Sequence, residues 1–127
     1  MEFRKEAPVI KVYLICPVRH ATDEMRRQAD EYVSRLEQQG ISVHYPPRDV
    51  DQTDDGIGLK INEANRAALL DSDEVHVIWD SSSKGSHFDL GMAFMLQALR
   101  QCPIVLATPP AQTPGKGYEN LLRAIGA

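Results

Sequence analysis

The 127-residue sequence predicts an α/β fold, a single-domain doubly wound parallel sheet of the flavodoxin-like or Rossmann-like kind spanning 1–127, with strand order 2-1-3-4. Three observations predict it. Strand-like runs alternate with helix-period segments as β-α-β-α-β-α-β-α, which demands parallel strands, right-handed crossovers and helices on both faces. Two of the runs, Val9–Cys16 (broken only by Lys11) and Val75–Ile78 (broken only by His76), are almost continuously apolar, the pattern of strands covered on both sides. The third run then stops at Trp79-Asp80, crosses Ser81-Ser82-Ser83-Lys84-Gly85-Ser86 and enters an almost wholly apolar helix. Ligands of open α/β sheets sit outside such strand ends, and the free amides of a following helix favour an anion.

Each element has its own signal. After the first strand, Pro17-Val18-Arg19-His20 reads as a turn. Thr22 is an N-cap, with Asp23 and Glu24 favourable at the helix start. Met25, Ala29, Tyr32, Val33 and Leu36 recur at helical spacing, and Gly40 ends that helix. Ile41–Tyr45 alternates as a short strand. Pro46 to Gly58 reads as a long polar loop, in which Asp54 and Asp55 look like caps of the next helix. Leu59–Leu70 is a second helix whose inward stripe is Ile61, Ala64 and Ala68, with Asn65 beside it. After the third strand and helix, Pro103–Ala107 is a fourth strand. Thr108–Gly117 is a Pro/Gly-rich loop and Tyr118–Ile125 a last short helix.

Composition narrows the function. The chain is 43% apolar and 25% charged with net charge -4, and it lacks the basic clusters of a nucleic-acid binder, so no polymer partner is expected. No apolar run reaches the ~20 residues of a membrane span, and Met1–Ala7 is charged where a signal peptide would be apolar. Cys16 and Cys102 form no CxxC pair and read as buried thiols; together these features point to a cytoplasmic protein. His20, His44, His76 and His87 show no metal-ligand spacing, so no metal is expected, and His44 and His76 read as strand residues. A phosphoacceptor receiver domain is excluded, because Cys16-Pro17-Val18-Arg19 supplies no paired acids after the first strand.

With strand order 2-1-3-4 the switch point lies between strands 1 and 3, so Pro17–His20 and Asp80–Asp89 flank one crevice. Asp89 has two readings. It is a nucleophile for a sugar anomeric carbon, or it closes a capping box with Ser86. Arg19 either clamps a phosphate or is solvated surface, and Asp80 either binds a ribose hydroxyl or base or merely ends a strand. Asn65 needs a partner, because an unpaired buried amide costs about 1–3 kcal/mol.

These residues resemble a family. Ser83-Lys84-Gly85-Ser86-His87-Phe88-Asp89-Leu90-Gly91-Met92-Ala93 is similar to the segment of nucleoside 2-deoxyribosyltransferases and deoxynucleoside 5'-monophosphate N-glycosidases. There a Ser or Asp and a Gly-containing loop precede Glu-Leu-Gly-x-Ala, with Glu the nucleophile. Cys16-Pro17-Val18-Arg19 resembles their strand-1 turn, and Asn65-x7-Asp73-Glu74-Val75 their Asp-x7-Asp-x-Val pattern. The likeness runs over residues 10–107 in element order. It implies N-glycosidic cleavage or 2-deoxyribosyl transfer on a nucleoside or nucleoside monophosphate, no cofactor, and a homo-oligomer. Asp89 would attack C1' with inversion, Asn65 and Asp80 would orient sugar and base, and Arg19, Ser83 and Ser86 would hold the 5'-phosphate. Pro17, Gly85 and His87 would complete the substrate-binding set. The departures are Asp89 for Glu, Asn65 for the carboxylate that manages the leaving base's proton, and Pro17 for a hydroxyl. A non-catalytic nucleotide binder, or a glycohydrolase of an NAD-type dinucleotide, is the alternative.

Overall fold

The computed structural model describes residues 8–53 and 56–127, so the caps expected at Asp54 and Asp55 and the reading of Met1–Ala7 lie outside the described residues. In chain order the elements are β1 (Lys11–Ile15), α1 (Asp23–Gln38), β2 (Ser42–His44), α2 (Pro46–Asp49), α3 (Leu59–Leu70), β3 (Glu74–Val77), α4 (Lys84–Arg100), β4 (Ile104–Leu106) and α5 (Tyr118–Ile125). The strands form one parallel sheet in the order β2-β1-β3-β4, as the alternation predicts.

Residue alternation along β1 divides the core into two layers. Val12, Leu14 and Cys16 join Val43 and Tyr45 under Ala29, Val33 and Leu36 of α1. Tyr13 and Ile15 point the other way and join Val75, Val77 and Ile104 under Leu69 of α3, Leu90, Ala93 and Leu96 of α4, and Leu122 of α5. One helix therefore covers one face and three cover the other. Thr22 caps α1 by accepting the Met25 amide at 3.1 Å, and Gly40 follows the helix at a φ of 83°, which costs glycine nothing. At the chain's end, Ala127 exchanges hydrogen bonds with Ile104 and Leu106, which lines the outer edge of β4.

Two expectations are corrected. Pro46–Asp49 is a helical turn rather than open loop, because proline suits the first helical positions and Asp49 Oδ2 accepts the Tyr45 amide at 2.8 Å. In α3 the buried residues are Asn65 and Leu69, while Ala64 is exposed and Ile61 and Ala68 are half-buried. Asn65, Leu69 and Ser72 follow one another at i, i+4, i+7, and Ala64 lies about 100° around the helix from Asn65. The end of α3 is tied to α4 by Arg100, whose guanidinium donates to the carbonyls of Leu69 at 3.0 Å and Ser72 at 2.8 Å. Among the described residues no helix is long and apolar enough to cross a membrane.

Leu69 is 1% exposed in the three-helix layer. Leu69→Ala should therefore destabilise the protein by about 2–5 kcal/mol in urea unfolding, the range for a buried leucine whose cavity cannot fully collapse. A loss under about 1 kcal/mol would show that α3 is not part of the cooperative core.

Candidate active site

The β1–β3 pairing builds the crevice. Ile15 is in register with Val77, and the Ile78 amide donates to the Ile15 carbonyl at 2.8 Å. The Pro17–His20 turn and the loop from Trp79 to Ser83 thus leave the sheet side by side. His20 adopts a φ of 64°, which turns the chain towards α1 and leaves Arg19 exposed. Pro17 is buried in the wall of this turn, and among the described residues Arg19 makes no hydrogen bond or ion pair. On the other side, the Asp80 carboxylate accepts the Ser82 amide at 3.0 Å and the Ser82 hydroxyl at 2.9 Å, an Asx turn that shapes the loop.

The start of α4 differs from the capping-box expectation. Ser83, not Ser86, is the N-cap: its hydroxyl accepts the Ser86 amide at 3.2 Å and donates to the Ser86 hydroxyl at 2.9 Å. The His87 amide bonds to the Ser83 carbonyl, as does His87 Nδ1 at 2.6 Å. The amides at the crevice are accordingly those of Lys84 and Gly85, which precede the first intrahelical donor. A Cβ on Gly85 would meet nothing within 4 Å, so the chain's own packing does not require glycine there. The His87 ring lies 4.6 Å from Trp79 and 4.5 Å from Tyr118, and Trp79 Nε1 donates to Glu119 at 3.2 Å.

Asp89 takes no part in the cap. It is 8% exposed, one turn deeper, and its Oδ2 accepts the Tyr13 hydroxyl at 2.8 Å across 76 residues of sequence. Tyr13 is paired in register with His44, and their rings stack at 5.1 Å and 22°. His44 Nε2 in turn donates to Asn65 Oδ1 at 3.3 Å. Asp89, Tyr13, His44 and Asn65 thus form one connected group drawn from α4, β1, β2 and α3. Burial pushes the Asp89 carboxyl up to about 6, against the smaller downward pull of the Tyr13 hydrogen bond. Burial and the adjoining carboxylate push the Tyr13 phenol far up, and burial pushes the Cys16 thiol up to about 12.

Tyr13 was not among the residues singled out from the sequence, and His44 reads there only as a strand residue. One signal for Tyr13 was present, since a hydroxyl inside a fully buried strand must find a partner. Ser86 and His87, expected to touch substrate, are engaged in building the helix start. Among the described residues no group of three or more His, Cys, Asp or Glu side chains is placed to hold a metal ion.

No family model and no curated protein matches the chain. Solved structures do. The chain is similar to the 2-deoxyribosyltransferase of Bacillus psychrosaccharolyticus, with a TM-score of 0.65 and 16% identity over 83% of this chain and 77% of that one. It is also similar to a conserved protein from Enterococcus faecalis V583, at 0.62 and 17% over 92% and 73%. A third likeness is to the CMP N-glycosidase BcmB of Clostridium botulinum, at 0.57 and 18% over 91% and 82%. The fold is that of 2-deoxyribosyltransferase-like proteins, a parallel 2-1-3-4 sheet with helices on both faces.

The raised Asp89 carboxyl makes stability depend on pH. Between its unfolded value near 3.8 and about 6 the folded protein binds this proton more tightly. Stability from this group is therefore present below pH 4 and falls as pH rises through 6, by about 3 kcal/mol in all. Asp89→Asn keeps an acceptor for Tyr13 and carries no charge, so its urea midpoint should lack that fall. An equally steep decline in the variant would locate the dependence elsewhere.

Proposed function

We propose that the protein breaks an N-glycosidic bond of a nucleoside 5'-monophosphate, by hydrolysis or 2-deoxyribosyl transfer, with Asp89 as the nucleophile. The observation that carries this reading is the buried Asp89 carboxylate, aimed by the Tyr13 hydroxyl and set beside the crevice of the β1–β3 switch point. A carboxylate held this way at a helix start is the chemistry for attack on C1'. Burial that lifts its pKa to about 6 leaves it ionised and nucleophilic at neutral pH. The fold likeness to a 2-deoxyribosyltransferase and a CMP N-glycosidase supports a nucleoside-type substrate. In this reading Asn65 and Asp80 orient sugar and base. Arg19, Ser83 and the amides of Lys84 and Gly85 receive the phosphate at the positive end of α4, and bare Gly85 lets it approach closely.

A second reading, a non-catalytic nucleotide-binding module, is favoured by one observation. Asn65, held by His44, stands where a carboxylate would be needed to manage the leaving base's proton. Assembly as a homodimer is part of the proposal, supported by exposed Phe88, Met95 and Leu99 on α4, spaced as one face.

If Arg19 and Ser83 hold phosphate, a monophosphate should bind about 10- to 100-fold tighter than its nucleoside, the worth of charge-assisted contacts near 1.5–3 kcal/mol. Equal dissociation constants by calorimetry would refute that subsite. Asp89→Glu, with one more methylene of reach, should keep or raise base release followed by chromatography, whereas Asp89→Asn should abolish it and still bind. Wild type and Asp89→Glu both binding nucleotides yet releasing no base would leave only the binding module.

A further inference from the structure

We propose that the N-glycosides cleaved here are those of quaternary, cationic heteroaromatic bases, N-alkylated purines or pyridinium rings, whose departure needs no proton. The inference rests on the glycosidase reading above and narrows its substrate class. An ordinary nucleobase leaves C1' as an anion unless an acid protonates it, and such an acid is worth about 100- to 10,000-fold in rate. A quaternary base leaves neutral.

Two observations on the site point the same way. First, the acidic hydrogens of Tyr13, His44 and His87 are each committed to a bond within the protein. The Tyr13 hydroxyl donates to Asp89 itself. His44 Nε2–H donates to Asn65 Oδ1, and Asn65 is an amide with no acidic proton to give. His87 Nδ1–H donates to the Ser83 carbonyl, so its other ring nitrogen is bare in the neutral ring. Asp80 is an acceptor for Ser82. The thiol of Cys16 is buried. Second, Asp89 is a buried carboxylate with no lysine or arginine bonded to it; its one hydrogen-bond partner among the described residues is a neutral phenol. A buried charge without a counter-charge is costly, and a cationic base at C1' supplies one. The Asn65 Nδ2 hydrogens have no acceptor among the described residues and keep contact with solvent, free to bond a carbonyl or ring acceptor of that base.

The step balances without a further reactant. An Asp89 oxygen bonds to C1' as the C1'–N bond breaks, and that electron pair neutralises the ring nitrogen. Water then attacks C1', the C1'–O bond breaks back to the carboxylate, and one proton is released to solvent. The sum is a cationic glycoside and water giving sugar phosphate, neutral base and a proton.

The test compares 7-methylguanosine 5'-monophosphate with guanosine 5'-monophosphate, in ribo and 2'-deoxy forms, at pH 6.5 where the methylated ring is cationic, with nicotinamide mononucleotide as a pyridinium. The expected result is a kcat/KM ratio between the guanine pair at least as large as the ratio of their uncatalysed rates in the same buffer, with nicotinamide released from the third compound. Asn65→Asp should raise hydrolysis of guanosine monophosphate at least 10-fold and give its pH profile a descending alkaline limb, which a merely structural asparagine would not do. A ratio 10-fold or more below the uncatalysed one, or an alkaline limb already present in wild type, would overturn the proposal and leave the glycosidase reading intact. No base from any of the compounds, by wild type or Asp89→Glu, would sink both.

Discussion

The hydrogen bond between the Tyr13 hydroxyl and Asp89 ties the central strand to the helix that ends at the crevice. Both groups are buried, so neither tolerates the other's removal cheaply: an unpaired phenol or carboxylate inside a core costs more than the bond between them is worth. Its geometry requires β1 to present Tyr13 to the three-helix face, and α4 to enter one turn before Asp89. The register of β1 with β2 then brings His44 onto the Tyr13 ring, and His44 decides which way Asn65 turns. The orientation of α3, with a polar residue rather than an alanine towards the sheet, follows from this chain of contacts.

Around that group the serines of the loop act in two layers. Ser83 and Ser86 complete the first turn of α4 between themselves, and Ser82 with Asp80 folds the loop that precedes it. Among the described residues the backbone amides of Lys84 and Gly85 are left without a partner in the cap, and Arg19 on the turn after β1 is exposed. In the proposed reading, recognition of an anion by those amides requires a rigid helix start, which the self-contained hydrogen bonding of the cap would supply.

The electrostatics of the site come from burial more than from charge pairing. Among the described residues the ion pairs lie elsewhere, and most are exposed, as with Arg27 between Glu24 and Glu31 or Lys11 with Asp71, where each contributes little. Asp89 is buried and has no cationic hydrogen-bond partner among the described residues, and its affinity for a proton rises accordingly. Under the proposed function, a ligand that brings positive charge or partial positive charge to C1' would relieve that condition.

The fold was legible in the sequence because alternating strand and helix periods, short connections and the right-handed crossover leave few topologies, and 2-1-3-4 is the one observed. Thr22, Gly40 and the boundaries of α3 and α5 were readable for the same reason: they depend on local chemistry and strand order. The role of Asp89 was not readable. Ser86-x-x-Asp89 fits a capping box by spacing, and only packing shows that the cap is Ser83 and that the partner of Asp89 lies 76 residues away on β1. Tyr13 and His44 read as strand residues, and in register terms they are; that they face each other, Asn65 and Asp89 is set by the pairing of β1 with β2 and by the rotation of α3. Local signals determine which segments become strands and helices. Which polar groups meet inside is decided by three-dimensional packing, because a buried donor bonds to whichever acceptor the assembled elements bring within 3 Å or so.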